Sequence, residues 1–245
     1  MKIAMAQMQM GPTAEENLNK TLQRMKRAAA LDAELIFFPA QQLSLFSADA
    51  PLHGLRADGE ELEAIRRCSA ALGLAASANI LPEEGGSLSL MIGADGALLG
   101  TSRTSCPDAA ADGAFPVYDI AGVRVGVVID GDRHRPESVR ECARGGAELV
   151  IIPAASRKGE PLWYYERELC ALAVLNCCFI ALCSRVGQEG EQRFAGHSML
   201  AGPDGRILLK AGSMDGLYVV DFDPAEARSA RANCAWLGGG QAFPS

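Results

Sequence analysis

The sequence has few of the residues that build nucleic-acid or zinc sites. It contains 30 acidic residues against 23 basic ones, a net charge of −7, and only three histidines among 245 residues. A basic patch is the usual footprint of nucleic-acid binding, and an acidic surface also disfavours contact with anionic lipid headgroups. These shortages predict that neither nucleic acid nor a membrane surface is a partner.

Metal-binding and disulfide patterns are also missing. The chain has eight cysteines, yet none form a CxxC pair and no histidine stands at a zinc-ligand spacing from them. Five of the eight lie in apolar stretches, where cysteine acts as a small hydrophobic residue. We therefore predict reduced cysteines, no metal and no cofactor.

Targeting segments are absent from the pattern as well. The N-terminal segment MKIAMAQMQMG alternates apolar and polar residues instead of forming the unbroken apolar region of a signal peptide. No run of about eighteen uncharged apolar residues occurs, so no membrane span is expected. The cytoplasm is the predicted compartment.

Short strand-like runs alternate with amphipathic stretches along the chain. Tight-turn sequences at 94–96 and 202–205 predict hairpins, the second with a strand over 193–201 before it. A helix is expected from Pro136 to Arg144, because proline is favoured at a helix start. We predict two mixed sheets packed face to face with helices outside, in one domain over residues 1–230. Residues 231–245 lose periodicity and predict an irregular tail.

Four segments, taken in order, resemble the nitrilase (carbon–nitrogen hydrolase) superfamily over roughly residues 1–222. They are KIAMAQMQMGP followed by a helix and ELIFFP, then DGALLGTSR, then VRVGVVIDGDRHRPESVRECARGGAELVIIPAAS, and finally the region from Trp163 to Gly205 with FAGHSMLAGPDG. The resemblance implies a four-layer α-β-β-α sandwich. It also implies a homodimer or larger assembly, with helix layers packed at the interface.

The resemblance implies a Glu–Lys–Cys site, and this chain carries other residues at all three positions. Ala40 follows Phe38–Pro39 where the family has its Glu, Thr104 follows Arg103 where it has its Lys, and Asp130 follows Ile129 where it has its Cys. Hydrolysis of an amide through a covalent intermediate needs a nucleophile, a proton-transferring base and a group that stabilises negative charge. We therefore expect no intact catalytic residues.

Three hypotheses follow for function. The first is a homologue without amidase or nitrilase activity, with a ligand-binding, regulatory or structural role. The alternative is a hydrolase of small amides with rewired chemistry, using Asp130 and a nearby Arg or Lys. A third is that a partner chain completes the site in a hetero-oligomer. The side chains expected around a small-molecule pocket are Arg103, Asp132, Arg133 and Lys158. The expected partners of a buried Asp130 are Arg103, Arg133, Arg157 or Lys158.

Other candidate residues have simpler interpretations. Asp130, Asp132 and Glu137 match no known cation-binding loop, so they predict no Mg²⁺ or Ca²⁺ site. Cys106 is expected to be a loop thiol, and His53 and His134 surface residues. His197 resembles a structural position of the family, and the aromatic residues at 163–165 are expected to line the pocket or the dimer interface.

Overall fold

The computed structural model describes residues 1–43, 55–83, 85–104, 115–159 and 161–237. Cys106 and His53 lie outside these ranges. In chain order the β-strands of the described residues are β1 (Lys2–Gln7), β2 (Leu35–Phe37), β3 (Ala75–Ile80), β4 (Leu88–Ile92), β5 (Leu98–Arg103), β6 (Val117–Ile120), β7 (Val123–Val127), β8 (Leu149–Ala154), β9 (Phe179–Ser184), β10 (Val186–Glu189), β11 (Gln192–Ala195), β12 (Met199–Ala201), β13 (Ile207–Lys210) and β14 (Gly216–Asp221).

The α-helices of the same ranges are α1 (Ala14–Ala29), α2 (Glu60–Leu72), α3 (Pro136–Arg144), α4 (Leu162–Asn176) and α5 (Pro224–Ala232). Their ends follow local chemistry. The Thr13 hydroxyl accepts a hydrogen bond from the Glu16 amide at the start of α1, and Gly73 ends α2 in the left-handed region that glycine adopts freely. None of the described helices is long and apolar enough to cross a bilayer.

Two six-stranded sheets form the centre of the protein. The first has the order β14-β1-β2-β3-β4-β5, and the second has the order β13-β12-β9-β8-β7-β6. In each sheet three strands run parallel and the others pair antiparallel, so both sheets are mixed. Strands β10 and β11 form a separate two-stranded hairpin.

The core lies in three layers. Phe37 and Met5 of the first sheet pack against Val127 and Ile151 of the second, which closes the space between the sheets. The outer face of the first sheet is covered by α1 and α2, and the outer face of the second by α3 and α4. Burial of these apolar faces is the main stabilising contribution. The predicted α-β-β-α sandwich with two mixed sheets is confirmed.

A buried glutamine connects β1 to the segment before β12. The Gln7 side chain is fully buried and accepts hydrogen bonds from the Ser198 amide (2.9 Å) and hydroxyl (2.8 Å), while its amide donates to the Gly212 carbonyl (2.9 Å). Gly196 has a φ of 72°, and a Cβ there would lie 2.9 Å from the Gln7 amide nitrogen. The close approach therefore requires glycine at 196.

Several local predictions are corrected. The strand expected over 193–201 is broken at Gly196 and His197, which both have positive φ, and β10 before it was not predicted. Helix α5 was also not predicted, and it crosses the expected domain limit at residue 230; the limit itself stays a prediction.

Candidate functional site

The carboxyl ends of several strands meet at one edge of the sandwich. Strand β5 runs in the same direction as β3 because both pair antiparallel with β4, so Thr104 leaves the first sheet at the same edge as Ala40 after β2. The Ala40 amide donates to the Ala154 carbonyl at the end of β8 (3.3 Å), which joins the two sheets at this edge. We call the group Ala40, Gln41, Thr104, Asp130, Arg133 and Arg185 the strand-end site.

Thr104 is engaged in structural hydrogen bonds. Its amide donates to the Ser87 carbonyl (3.0 Å), and its hydroxyl accepts from the Ser87 amide (3.0 Å). The Ser87 hydroxyl in turn accepts from the Gln41 side-chain amide (2.8 Å). The other polar atom of that side-chain amide, Gln41 Oε1, is buried and has no hydrogen bond among the described residues.

Arg185 holds the turn after β2 in place. Its guanidinium donates to the Ala40 carbonyl (3.1 Å) and to the Gln41 carbonyl, and it forms two 2.8 Å hydrogen bonds to the Glu189 carboxylate. Its charged end also lies 5.4 Å from the centre of the Phe194 ring. Burial lowers the pKa of Arg185, while the negative charges of Glu189 and Asp130 act in the opposite direction. The buried guanidinium charge is therefore compensated by the Glu189 carboxylate and by two backbone carbonyls.

Asp130 starts a 3-10 helix (Asp130–His134) that follows β7 through two extended residues. Its φ of 43° lies in the left-handed region, which Asp adopts more readily than most residues and which often marks functional turns. Arg133 donates to its carbonyl (3.1 Å) and to its carboxylate oxygen Oδ1 (3.3 Å). The Asp130 side chain remains 35% exposed, so its carboxylate is accessible from outside.

A second carboxylate completes this ionic group. Arg133 is nearly buried, donates to Glu168 of α4 (3.2 Å) and lies over the Tyr165 ring at 5.7 Å. His134 contacts the other Glu168 oxygen through Nδ1 (2.5 Å), and its side chain is 44% exposed. The Asp130 region is therefore tied to α4 by a chain of charged groups, with carboxylates at both ends of Arg133.

The other predicted pocket residues are spread more widely. Arg133 contacts Asp130, whereas Arg103 is an exposed residue at the end of β5 and Asp132 is fully buried, with its carbonyl accepting from the Ser138 hydroxyl (2.9 Å). Lys158 is exposed and belongs to a different pocket, described below. Among the described residues, no group of three or more His, Cys, Asp or Glu side chains is placed to hold a metal ion.

Arg185 and Glu189 were not predicted as site residues. A usable signal exists, because Arg185 follows directly after the apolar run of β9 and an acidic residue stands four positions later. A charged residue at the end of a buried strand has to find a partner or a polar site. The spacing suggests Glu189 as one partner. The other acceptors could not be predicted from the sequence, since they are backbone carbonyls about 145 residues earlier.

Two buried thiols near β9 are poor nucleophiles. Burial raises the pKa of Cys178 to about 12 and also raises the pKa of Cys183, the thiol closest along the chain to Arg185. Thiolate, not thiol, attacks carbonyl carbons, so such groups react slowly near neutral pH. Seven free cysteines lie in the described ranges.

A family comparison matches this architecture. The family described as carbon-nitrogen hydrolase matches residues 2–232, nearly the whole chain. The chain belongs to the carbon–nitrogen hydrolase family. The superfamily resemblance of its sequence motifs is thereby confirmed, and the order of strands and helices is that of this family's sandwich.

Several relatives of this chain are named as amidases. The chain is 31% identical to an (R)-stereoselective amidase from Pseudomonas sp., across 97% of this chain and 90% of that protein. It is 25% identical to an omega-amidase from Xenopus tropicalis, across 91% and 88% of the two chains. A variant of the amidase from Nesterenkonia sp. AN1, solved in complex with butyramide, superposes with a TM-score of 0.82 at 25% identity, covering 95% of each chain.

Proposed function

We propose that this carbon–nitrogen hydrolase homologue binds a small amide-like ligand at the strand-end site without hydrolysing it. The observation that carries the proposal is the side-chain set at positions 40, 104 and 130. A methyl group, a hydroxyl already engaged by Ser87 and a carboxylate paired with Arg133 stand there. Together, the three side chains supply neither the thiolate nucleophile, nor a free base, nor a cation.

The energetic cost of these replacements is large. Loss of a nucleophile alone lowers kcat by about 10⁶ in a protease whose residues were removed one by one. The base and the charge-stabilising group each contribute further factors when they act in the same step. With all three positions altered, binding is the property that the site retains.

Two acceptor atoms support an amide-like ligand. Asp130 Oδ2 has no partner among the described residues, and Gln41 Oε1 is buried without a hydrogen bond. A buried acceptor left unsatisfied, such as Gln41 Oε1, costs about 1–3 kcal/mol, which a ligand N–H group would recover. The exposed Asp130 carboxylate can accept a second ligand N–H group in place of water. A primary amide carries two such hydrogens. Amides are also the substrates named for the relatives, which agrees with this ligand class.

The test follows binding and turnover in one sample. Butyramide is added to isotope-labelled protein, and amide and side-chain NMR signals of Gln41 and residues 130–133 are recorded over a day alongside the ligand signals. We expect saturable shifts at these residues and no butyrate. Butyrate formation that disappears in Asp130→Ala would overturn the proposal, and so would the absence of any shift at saturating ligand.

The alternative of a rewired hydrolase draws on one observation. Arg133 orients the Asp130 carboxylate, and the left-handed backbone presents it at a sharp turn after a strand, as nucleophiles are presented in other hydrolases. Attack by this carboxylate on an amide would release ammonia and leave a mixed anhydride for water to cleave. This hypothesis requires turnover that Asp130→Asn and Arg133→Gln both abolish.

We also propose a homodimer or larger homo-oligomer that uses α4. Its outer face exposes Trp163 (59%), Tyr164 (53%) and Leu175 (49%), and clusters of exposed apolar residues often mark protein interfaces. Sedimentation velocity should give a dimer or larger species for the wild type and a shift towards monomer for Trp163→Glu. A wild-type monomer across the micromolar range would contradict this. A species containing a second kind of chain, isolated from the native source, would instead favour the hetero-oligomer.

A further inference from the structure

A pair of cationic residues lies face to face outside the strand-end site. The segment after β8 pairs with β11 through hydrogen bonds from the Ala195 amide to the Ser156 carbonyl (3.0 Å) and from the Lys158 amide to the Arg193 carbonyl (2.7 Å). The antiparallel bridge between Arg157 and Phe194 fixes the register. Lys158 and Arg193 are therefore opposite each other, and opposite residues of an antiparallel pair project from the same face.

Neither side chain has a counter-ion among the described residues. Within the described part of the chain, the ammonium of Lys158 and the guanidinium of Arg193 make no ion pair or hydrogen bond, and both residues are exposed. Like charges placed directly opposite each other destabilise a strand pair. In a chain with seven more acidic than basic residues, two opposed cations without an ion pair among the described residues need a reason other than stability.

These two residues line a pocket of about 640 Å³, which we call the cationic pocket. None of the other described lining residues is acidic; they include Leu162, Gln188, Phe194, His197 and Ser213. The volume is within the range of about 300–1,000 Å³ usual for small-ligand sites. Charge, volume and the absence of lining carboxylates all favour a small organic anion.

Phe194 separates the cationic pocket from the strand-end site. It lines the pocket, packs with Ala40 and Ala155 in a small apolar cluster, and lies under the Arg185 guanidinium. Leu162 supplies a second apolar surface at the start of α4. A ligand in the pocket would thus meet two positive charges and a short apolar wall.

We infer that the cationic pocket binds a small dicarboxylate, with its carboxylates on Lys158 and Arg193 and its carbon chain against Leu162. Guanidinium groups match carboxylates in a two-bond geometry, and a dianion balances the two cations. The inference concerns a site separate from positions 40, 104 and 130. It holds or fails independently of the proposed function.

The test is isothermal titration with succinate as the probe at low ionic strength. Three protein forms are compared: the wild type, the Lys158→Gln/Arg193→Gln double variant and a Lys26→Gln/Arg67→Gln double variant. The last removes the same two charge types from exposed positions on α1 and α2. We expect saturable succinate binding to the wild type and the control variant, and at least about tenfold weaker binding to the pocket variant.

Two further ligands make the chemical assignment specific. Succinamide has the same carbon chain without charge and should not bind, and inorganic phosphate should bind more weakly than succinate. Circular dichroism melting of each variant shows that it is folded. Equal succinate affinity in the pocket variant, no saturable succinate binding to the wild type, or phosphate affinity matching that of succinate would each overturn the inference.

Discussion

The strand-end site and the cationic pocket, which lie on either side of Phe194, differ in how their positive charges are paired. In the strand-end site Arg185 pairs with Glu189, and Arg133 pairs with Asp130 and Glu168. In the cationic pocket Lys158 and Arg193 face each other without a counter-ion in the described residues. The difference indicates that charges on the first side stabilise the structure around a site, while those on the second side remain available for a ligand.

Burial explains why the two sides differ in energy. The Arg185 side chain is fully buried, and removing one partner of a buried ion pair leaves an uncompensated charge in a poorly solvated place. Lys158 and Arg193 are exposed, so water solvates them and their removal leaves no such charge. The comparison therefore gives predictions that differ greatly in size.

The largest expected effect comes from rebuilding the expected chemistry on the strand-end side. The triple change Ala40→Glu, Thr104→Lys and Asp130→Cys supplies a base, a cation and a thiol at the three positions. We expect ammonia release from butyramide to rise by about 10³ or more over the wild-type background, as acid–base and nucleophilic groups commonly contribute this much. Asp130→Cys alone is the control and should stay at background. A folded triple variant without activity would show that the three positions do not form one site.

Thiol labelling tests whether the buried Cys178 next to the second sheet can act as a nucleophile in the folded protein. Because burial raises the pKa of Cys178 to about 12, its thiolate fraction at pH 8 should be about 10³-fold or more below that of an unfolded-chain thiol. Mass spectrometry after iodoacetamide treatment should find Cys178 alkylated only in denaturant. The same shift predicts stability that is full below pH about 9 and falls as pH rises towards 12, because the unfolded chain loses the proton first. Rapid alkylation of Cys178 in the native protein would refute this.

Removing the buried guanidinium should unfold the protein more easily than removing an exposed one. Arg185→Met leaves Glu189 charged and buried, and we expect a loss of about 3–5 kcal/mol in the free energy of unfolding by urea. Arg193→Met is the matched control on the other side of Phe194, with an expected change within about 0.5 kcal/mol. Similar losses for both variants would remove the distinction between the two sides.

The smallest effect is expected at Thr104. Thr104→Val keeps the shape of the side chain but leaves the Ser87 amide without its acceptor, so we expect a loss of about 1–3 kcal/mol in stability. Thr101→Val on the exposed face of β5 is the control and should change little. Equal melting temperatures for the two variants would show that the Thr104 hydroxyl has no structural role and is free to contact a ligand.

The sequence predicted the sandwich well because its signals are local or repeated. Tight turns at 94–96 and 202–205, the proline start of α3 and the apolar runs of β8 and β9 each specify an element without reference to distant residues. The break at Gly196 and His197 was missed because apolar residues stand on both sides of it. The close approach that requires glycine at 196 comes from the side chains of Val186 and Gln7, and Gln7 is about 190 residues away in sequence.

The site was predictable only in part. Positions 40, 104 and 130 were predicted because their flanking residues keep the family pattern, and they remain a prediction, whereas Arg133, one of the candidate partners of Asp130, does contact it. Arg185 and the cationic pocket were not found, since both depend on contacts between segments that are distant along the chain or on the exact pairing of Lys158 with Arg193. Charge pairing across a register is a tertiary property that neither periodicity nor motif order encodes.

The most direct test of the central claim measures ammonia release from a panel of amides, nitriles and N-carbamoyl compounds, using wild type and Asp130→Ala at high protein concentration. We expect both proteins to give the same signal as buffer alone for every compound. Turnover by the wild type that Asp130→Ala abolishes would contradict it and would identify Asp130 as a working nucleophile.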